Sequence, residues 1–337
     1  MRLRVGIIGL GCTWEHRHKP ALRALSDRFE VRAVYDQVAH RAAHVAEELG
    51  CDAAEGFTAI IERRDIDAVF LLTPQWFRLQ PILTCCRVGK PVYCEKALEL
   101  EIDRAAELGP LIKQSGITCM VEFAGRLWPV TVRLKELLAS RLGPATMVFC
   151  DLRSLNRDNG NPYTSWVEDG LSGSFLEVGI RLADWCTYVL GREPTSVQAF
   201  AGHFVAPEPA EDFESLLAEF GPGAFAQITL GRYLSARWPA AARFRRPPPL
   251  QVVAERGVAM LDPPHELAWF DVEGPHHERL ESERPVGEML AEMFYRGVAE
   301  KRGHFPTIDD DYRATQLVLE ARRSHREGRR LAVSIKL

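Results

Sequence analysis

Residues 3 to 9, LRVGIIG, form an unbroken apolar run that stops at a glycine, and a second glycine follows at Gly11 before a segment with helical potential from about Pro20. A strand that is apolar at every position has no polar face to offer water, so it is buried on both sides. A chain that starts this way has to bring layers to both faces of its first strand, and the next segments supply them. FEVRAVYD reads as a strand, AHRAAHVAEELG as a helix stopped by Gly50, DAVFLLTP as a strand and RLQPILTCCRVG as a helix. PVYCEK then reads as a strand, DRAAELGPLIKQSG as a helix and ITCMVEF as a strand. Strands alternating with helices of this length predict an α/β doubly wound parallel sheet with helices on both faces.

After about residue 123 the rhythm changes. TMVFCDLRSL, TSVQAFAGHFV, ESLLAEF, AFAQITLGRYL, LQVVAERGVAML and ELAWFDVE are strand-like runs with few helices between them. Such a series predicts an α+β domain built on a large, mostly antiparallel sheet. With 337 residues, two domains are expected, drawn here at 1–123 and 124–337. FRRPPPL, at 244–250, reads as a rigid loop between two of these strands. A helix near the end runs through TIDDDYRATQLVLEARRSHREG, with Asp309 to Asp311 at its positive end and Arg322, Arg323 and Arg326 toward the negative end, a structural placement of charge.

A net charge of −4 gives no electrostatic reason to expect nucleic acid or an anionic membrane as partner, so a small molecule is expected instead. No apolar run approaches the length of a membrane span, and the first residues lack the pattern of a signal peptide. The eight cysteines are scattered without CxxC or Cys/His ligand spacing, which argues against a zinc site and against a secreted disulfide scaffold. A reduced cytoplasmic protein is the expectation. His40 and His44 share a helix face without an acid or cysteine to complete a metal set, and His276 and His277 read as loop residues.

The turn after the first strand is the context in which a GxGxxG signal holds a dinucleotide. Glycine permits the tight turn and lets backbone N–H groups approach a pyrophosphate at a helix N-terminus. Gly9, Gly11, Cys12, Thr13 and Trp14 are the expected cofactor contacts. Trp14 stands where the third small residue belongs, so either helix and strand pack less closely there or the loop takes a different path. Asp36 ends the second strand and is expected to accept hydrogen bonds from the adenosine ribose. Its carboxylate repels a 2′-phosphate and favours NAD over NADP, a preference that the nearby Arg41 complicates. A helix N-cap or turn role is the alternative for Asp36. For His16 and His18, which flank the loop, phosphate contact is one reading.

Taken in order, GIIGLG, FLLTPQ, GKPVYCEKAL, MVEFAGRLWP and GSFLEVGIRLAD resemble the glucose-fructose oxidoreductase and inositol dehydrogenase (Gfo/Idh/MocA) family over nearly the whole length. The resemblance implies an N-terminal Rossmann domain and a C-terminal open-faced sheet that holds substrate and often mediates oligomerisation, here a homodimer or homotetramer. It also implies a nicotinamide cofactor and a sugar, cyclitol or related polyol as substrate. Glu95, Lys96 and Ala97 match the family's EKP motif, in which the lysine lies by the nicotinamide. An ammonium at the carboxyl edge of the sheet stabilises a developing alkoxide or relays its proton. Thr73, Pro74 and Gln75 match the TPN loop that contacts cofactor, and the histidine that often follows is Arg78 here. Arg126 matches an arginine of the GFNRRF stretch and is a candidate cofactor or substrate contact.

The largest departure falls in GSFLEVGIRLAD. The family pattern DxGxHxxD becomes Glu177, Gly179, Arg181 and Asp184. Positions 177, 181 and 184 share one helical face. Glu177 can replace aspartate as acid or base, but arginine stays protonated at any ordinary pH and cannot replace histidine as a base. Two readings follow. In one, Lys96 carries the proton transfer with Glu177 and Tyr163 assisting, while Arg181 binds an anionic or electron-rich substrate group. In the other, Glu177 and Arg181 form an i, i+4 ion pair that fixes the helix, and the site is inactive. Trp166 and Asp184 complete the expected substrate contacts, although a structural role suits Asp184 beside Trp185 better. The leading expectation is an NAD-dependent oxidoreductase of a sugar-like or cyclitol-like alcohol or ketone. Alternatives are a redox-neutral NAD-dependent epimerase or lyase and a non-catalytic cofactor-binding sensor or scaffold.

Overall fold

The computed structural model describes residues 2–95, 102–156, 175–203, 212–235, 248–301 and 303–334. Their contacts divide them into two compact units, one of residues 2–122 with 283–312 and one of 123–282 with 313–334. The first unit holds six parallel strands: β1 (Leu3–Ile8), β2 (Phe29–Tyr35), β3 (Asp52–Ala53), β4 (Ala68–Leu71), β5 (Val92–Cys94) and β6 (Cys119–Val121). Their order is β3-β2-β1-β4-β5-β6, so the sheet runs outward in both directions from β1 and β4, as the strand–helix alternation predicts. The connecting helices are α1 (Lys19–Ala24), α2 (Ala39–Leu49), α3 (Phe57–Ile61), α4 (Leu79–Val88) and α5 (Ile102–Ser115). In α2 the apolar residues Ala42, Val45 and Ala46 are buried while His40 and His44 face solvent, and Gly50 ends the helix at φ 64°.

The sequence reading drew one boundary after residue 123, but the chain returns to the first unit with α8 (Val286–Ala299). The physical reason is its apolar face, Leu290, Ala291 and Phe294, which is buried. Phe294 meets an aromatic layer on the sheet, lying 5.3 Å from Phe70 and 5.7 Å from Tyr93, while Phe70 and Tyr93 stack at 4.9 Å. Close approach to the chain before α1 requires a glycine, because a Cβ on Gly287 would sit 2.7 Å from the Arg17 carbonyl oxygen.

The second unit contains α6 (Pro129–Leu137), β7 (Ala145–Asn156), α7 (Phe175–Leu190), β8 (Ser196–Gly202), β9 (Phe213–Glu219) and β10 (Phe225–Ser235). It continues with β11 (Leu250–Ala254), β12 (Gly257–Asp262), β13 (Glu266–Asp271) and β14 (Gly274–Arg279). From Arg313 it also takes α9 (Ile308–Glu327), and then β15 (Leu331–Ala332). The nine strands form one sheet in the order β14-β13-β12-β11-β7-β10-β9-β8-β15, antiparallel except where β10 runs parallel to β7. One face packs Val148, Cys150, Ala226, Ile228 and Val252 inward. On the other face Phe270, Val258, Val253, Met147 and Phe225 are neighbours across five strands, and Met147 and Phe270 are exposed.

Two sequence expectations change here. LQVVAERGVAML is not one strand but the hairpin β11–β12, and His276 and His277 lie in the edge strand β14 instead of a loop. The strand escaped notice because it opens with Gly-Pro and its alternate residues are polar and exposed. Most of the proline-rich stretch 244–250 lies outside the described residues. No helix among the described residues is long and apolar enough to cross a membrane.

Replacing Gly287 by alanine drives a Cβ into the Arg17 backbone, so G287A is expected to lose about 1–3 kcal/mol of stability. The check is the urea midpoint, with the slope of the transition unchanged.

Candidate functional site

The carboxyl end of β1 is where the first unit offers a cradle. Gly9 adopts φ 98°, and a Cβ there would lie 2.8 Å from the carbonyl carbon and oxygen of Leu72. Glycine is therefore demanded twice, by backbone conformation and by close approach to the loop after β4. The Gly9 N–H donates to the Tyr35 carbonyl at 2.8 Å, and the Leu10 N–H donates to Asp36 Oδ2 at 2.8 Å. Gly11 is different: a Cβ built on it meets no protein atom within 4 Å. Nothing in the packing of the described residues requires that glycine, whereas a pyrophosphate drawing close to backbone N–H groups does.

The substitution at Trp14 is resolved in favour of a different loop path. The helical segment opens at Cys12 and Thr13, Trp14–His18 form a π-turn within it in which the Lys19 N–H bonds to the Trp14 carbonyl, and α1 continues from Lys19. The Trp14 side chain turns inward and is 1% exposed, so any contribution it makes to a ligand comes from its backbone. Cys12 and Thr13, at the start of the helical segment, are partly exposed.

Asp36 anchors the second side of the cradle. Its Oδ1 accepts the Val38 N–H at 2.8 Å, and Arg41 Nη1 lies 3.2 Å from Oδ1 and 3.3 Å from Oδ2. The third side is the loop after β4. Arg78, where the resemblance offers histidine, is 1% exposed and donates from Nε and Nη2 to the Thr73 carbonyl at 2.8 and 2.5 Å. This fork holds the loop closed around a buried cation. The Thr73 hydroxyl is buried without a hydrogen-bond partner among the described residues. Pro74 and Trp76 are exposed, Trp76 at 72%, and Phe77 faces Tyr35 at 6.4 Å and Phe57 at 5.6 Å. Two glycines, an anchored carboxylate and an orphaned buried hydroxyl are features a dinucleotide fits.

At the end of β5, Glu95 is buried and its N–H donates to the Leu71 carbonyl at 3.2 Å. Lys96, the next residue, lies outside the described residues, as do Tyr163 and Trp166, and of Gln75 only the backbone is described. Beside this strand end sits a network that sequence reasoning missed. Glu122 forms an ion pair with Arg17, accepts the Tyr93 hydroxyl at 2.6 Å and lies 3.4 Å from His18 Nε2. Burial alone would push the Glu122 carboxyl up, but Arg17, then His18 and Tyr93, outweigh it and hold the carboxyl well below its usual range. His18 is thus a buried network member and not a surface phosphate contact, while His16 is exposed. The signal in the sequence was a single acid ending the apolar run CMVEF.

In the second unit α7 carries Glu177 and Arg181, both half-buried. Asp184 and Arg126 hold one another: Arg126 Nε donates to Oδ2 at 2.9 Å and Nη2 to Oδ1 at 2.5 Å. The guanidinium also lies 5.0 Å from the Tyr188 ring and 5.7 Å from that of Phe123. Arg126 was expected as a cofactor or substrate contact and Asp184 as a substrate contact or structural residue; their charges meet each other and tie α7 to the turn before α6. Asp271, Glu273 and His276 come within metal-ligand reach, but Arg141 donates to both carboxylates, at 3.0 and 2.5 Å, and supplies the positive charge there. Burial pushes the Cys94, Cys119 and Cys186 thiols up, which keeps them unreactive.

Comparison with known proteins agrees with this geometry. Residues 3–123 match the model of an oxidoreductase family with an NAD-binding Rossmann fold, and residues 131–260 match the GFO/IDH/MocA C-terminal domain. The chain belongs to the Gfo/Idh/MocA family of NAD(P)-dependent oxidoreductases. It is 27% identical to scyllo-inositol 2-dehydrogenase (NAD(+)) of Bacillus subtilis (strain 168) over 237 residues, 68% of each protein. It is 30% identical to D-xylose 1-dehydrogenase (NADP(+)) 2 of Haloferax volcanii over 175 residues, 52% of this chain and 53% of that protein. In fold it is similar to an oxidoreductase from Thermotoga maritima, with a TM-score of 0.82 at 22% identity over 99% of each chain.

Glu122 is the anion that Arg17, His18 and Tyr93 share, and breaking a buried charge network at one member is costly, so E122Q is expected to cost about 3 kcal/mol at neutral pH. The depressed carboxyl contributes stability that is complete above the ordinary carboxylate pKa of about 4.3 and lost as pH falls through the folded value. Urea midpoints of E122Q should accordingly fall less steeply than wild type below about pH 4.

Proposed function

We propose that this protein transfers hydride reversibly between a nicotinamide dinucleotide and a secondary alcohol or ketone of a sugar-like or cyclitol-like substrate. The observation that carries the reading is the cradle of Gly9, Gly11, Asp36 and Thr73 at the end of the parallel sheet where β5 runs into Glu95. The relatives named for inositol and xylose point to polyhydroxylated substrates of this class. In this reading Gly9, Gly11, Cys12 and Thr13 present backbone to the pyrophosphate, Asp36 meets the adenosine ribose, and Thr73, Pro74 and Gln75 line the cofactor. The Phe77 ring of the loop after β4 packs against the rings of Tyr35 and Phe57.

When bound, the nicotinamide gives or takes the hydride at the substrate carbon. Lys96 donates or accepts the proton of the reacting oxygen and offsets its developing negative charge. Glu177 and Tyr163 assist that proton's passage, and Arg181 with Trp166 orients the substrate, its fixed fork suiting a carboxylate or phosphate group. Arg126 and Asp184 act as a pair that positions α7. Eight free cysteines suit a reducing cytoplasmic setting. The apolar row Phe270, Val258, Val253, Met147 and Phe225 suits a homodimer or homotetramer closed through the open sheet face.

A panel of polyols, sugar acids and their keto forms, followed by reduced-nicotinamide absorbance, should yield at least one substrate. K96M should then lose about 10²–10⁴-fold in kcat while binding the cofactor as wild type does. Tight NAD binding with no absorbance change across the panel would oppose the proposal, and bound NAD cycling without net change would mark a redox-neutral enzyme instead. F270E should shift the species seen by analytical ultracentrifugation toward monomer.

A further inference from the structure

The first unit also carries a cavity away from the cradle, between α1, the start of β2 and the end of α2, and at about 400 Å³ it has the size of a small-molecule site. The cradle stands at the carboxyl end of β2, whereas this cavity is lined by that strand's first residues, Phe29 to Arg32. At about 3.3 Å per residue, Glu30 and Asp36 lie about 20 Å apart. The inner wall is apolar: Trp14, Leu22 and Phe29 are buried there, and Val31 and Leu49 are half-buried beside them. Trp14, the large residue where a dinucleotide turn carries a small one, is thus part of this wall, and its buried indole N–H has no acceptor among the described residues.

The rim is built from guanidiniums. Arg2 gives Nε to the Phe29 carbonyl at 3.2 Å, Arg23 gives Nη2 to Glu48 at 2.8 Å and Arg32 gives Nη1 to Glu30 at 2.9 Å. A guanidinium carries five N–H donors, so each keeps donors to spare. Their side chains are 51, 54 and 42% exposed, and ion pairs this exposed hold weakly enough to turn toward a ligand. The carboxylates of the lining are already matched, Glu30 by Arg32 and Asp52 by Arg63 at 2.7 Å, while Lys19 is held between Glu15 and Glu48. We propose that this cavity is a second ligand site, which takes a small amphipathic anion with an apolar body against Trp14, Leu22 and Phe29 and a carboxylate held by the arginines of the rim. The planar fork of a guanidinium suits a carboxylate. A neutral apolar molecule makes no use of the rim, and a wholly polar anion leaves the apolar wall in water. The inference goes beyond the dinucleotide reading and does not depend on it, since none of Gly9, Gly11, Asp36 and Thr73 lines the cavity.

The test is calorimetric titration of naphthalene-2-carboxylate into the wild-type chain, alone and saturated with NAD, beside the neutral naphthalene-2-carboxamide and beside citrate, an anion without an apolar body. The carboxylate is expected to bind at one site per chain with or without NAD, and the carboxamide and citrate at least tenfold more weakly. R23A/R32A is expected to weaken the carboxylate at least tenfold. S26E, which sets a negative charge on the exposed rim, is expected to weaken it at least threefold. Arg23, Ser26 and Arg32 are exposed or half-exposed, so both variants are expected to fold as wild type, which their thermal midpoints verify. No binding of the carboxylate at about 1 mM, equal binding of the carboxamide, or an affinity unmoved in both variants overturns the inference. A carboxylate that NAD displaces sits in the cradle and overturns it too, leaving the dinucleotide reading intact. Should NAD itself not bind, that reading fails, and the titration of the chain alone still decides the cavity.

Discussion

The backbone at Gly9 passes 2.8 Å, measured from where a side chain would begin, from the carbonyl of Leu72, and the rest of the cofactor end depends on that crossing. It brings the ends of β1, β2 and β4 together at one point: Gly9 bonds to Tyr35, Leu10 to Asp36, and Leu72 to Ile8. Three loops that are far apart in the chain thereby share one edge of the sheet. Gly11, which the chain itself does not need, then lies on the outside of an already rigid turn. The arrangement is an ordinary consequence of parallel strands ending side by side, but it works only where one residue has no Cβ.

Charge inside the two units is handled by pairing rather than avoidance. Arg17 and Glu122 in the first unit, and Arg126 and Asp184 in the second, are buried ion pairs. Arg78 is a third solution, a buried guanidinium satisfied in part by a backbone carbonyl. Such groups add less net stability than apolar side chains would, yet each dictates where a segment must lie. Arg78 shapes the loop after β4, Glu122 binds the π-turn to the end of β6, and Arg126 fixes α7. All three flank elements that carry proposed site residues.

The alternation of strand and helix was legible in the sequence because it depends on local patterning, and so was the antiparallel series of the second half. The glycine turn after β1 and the stop at Gly50 were legible for the same reason, each being a short-range demand on the backbone. Elements whose stability comes from distant partners were not. β14 is an edge strand of alternate exposed residues, and α8 belongs with a sheet some 160 residues earlier because its apolar face is complementary to Phe70 and Tyr93.

By itself, then, the sequence determined the layer architecture, the glycine turn after the first strand and the family, since apolar periodicity and glycine placement act over a few residues. Only the tertiary structure decided that Trp14 turns inward, that His18 faces Glu122 and that Arg126 spends its charge on Asp184. It alone placed Arg41 on Asp36. A side chain's partner is chosen by whichever group three-dimensional packing brings within about 3 Å, and spacing along the chain carries no record of that choice.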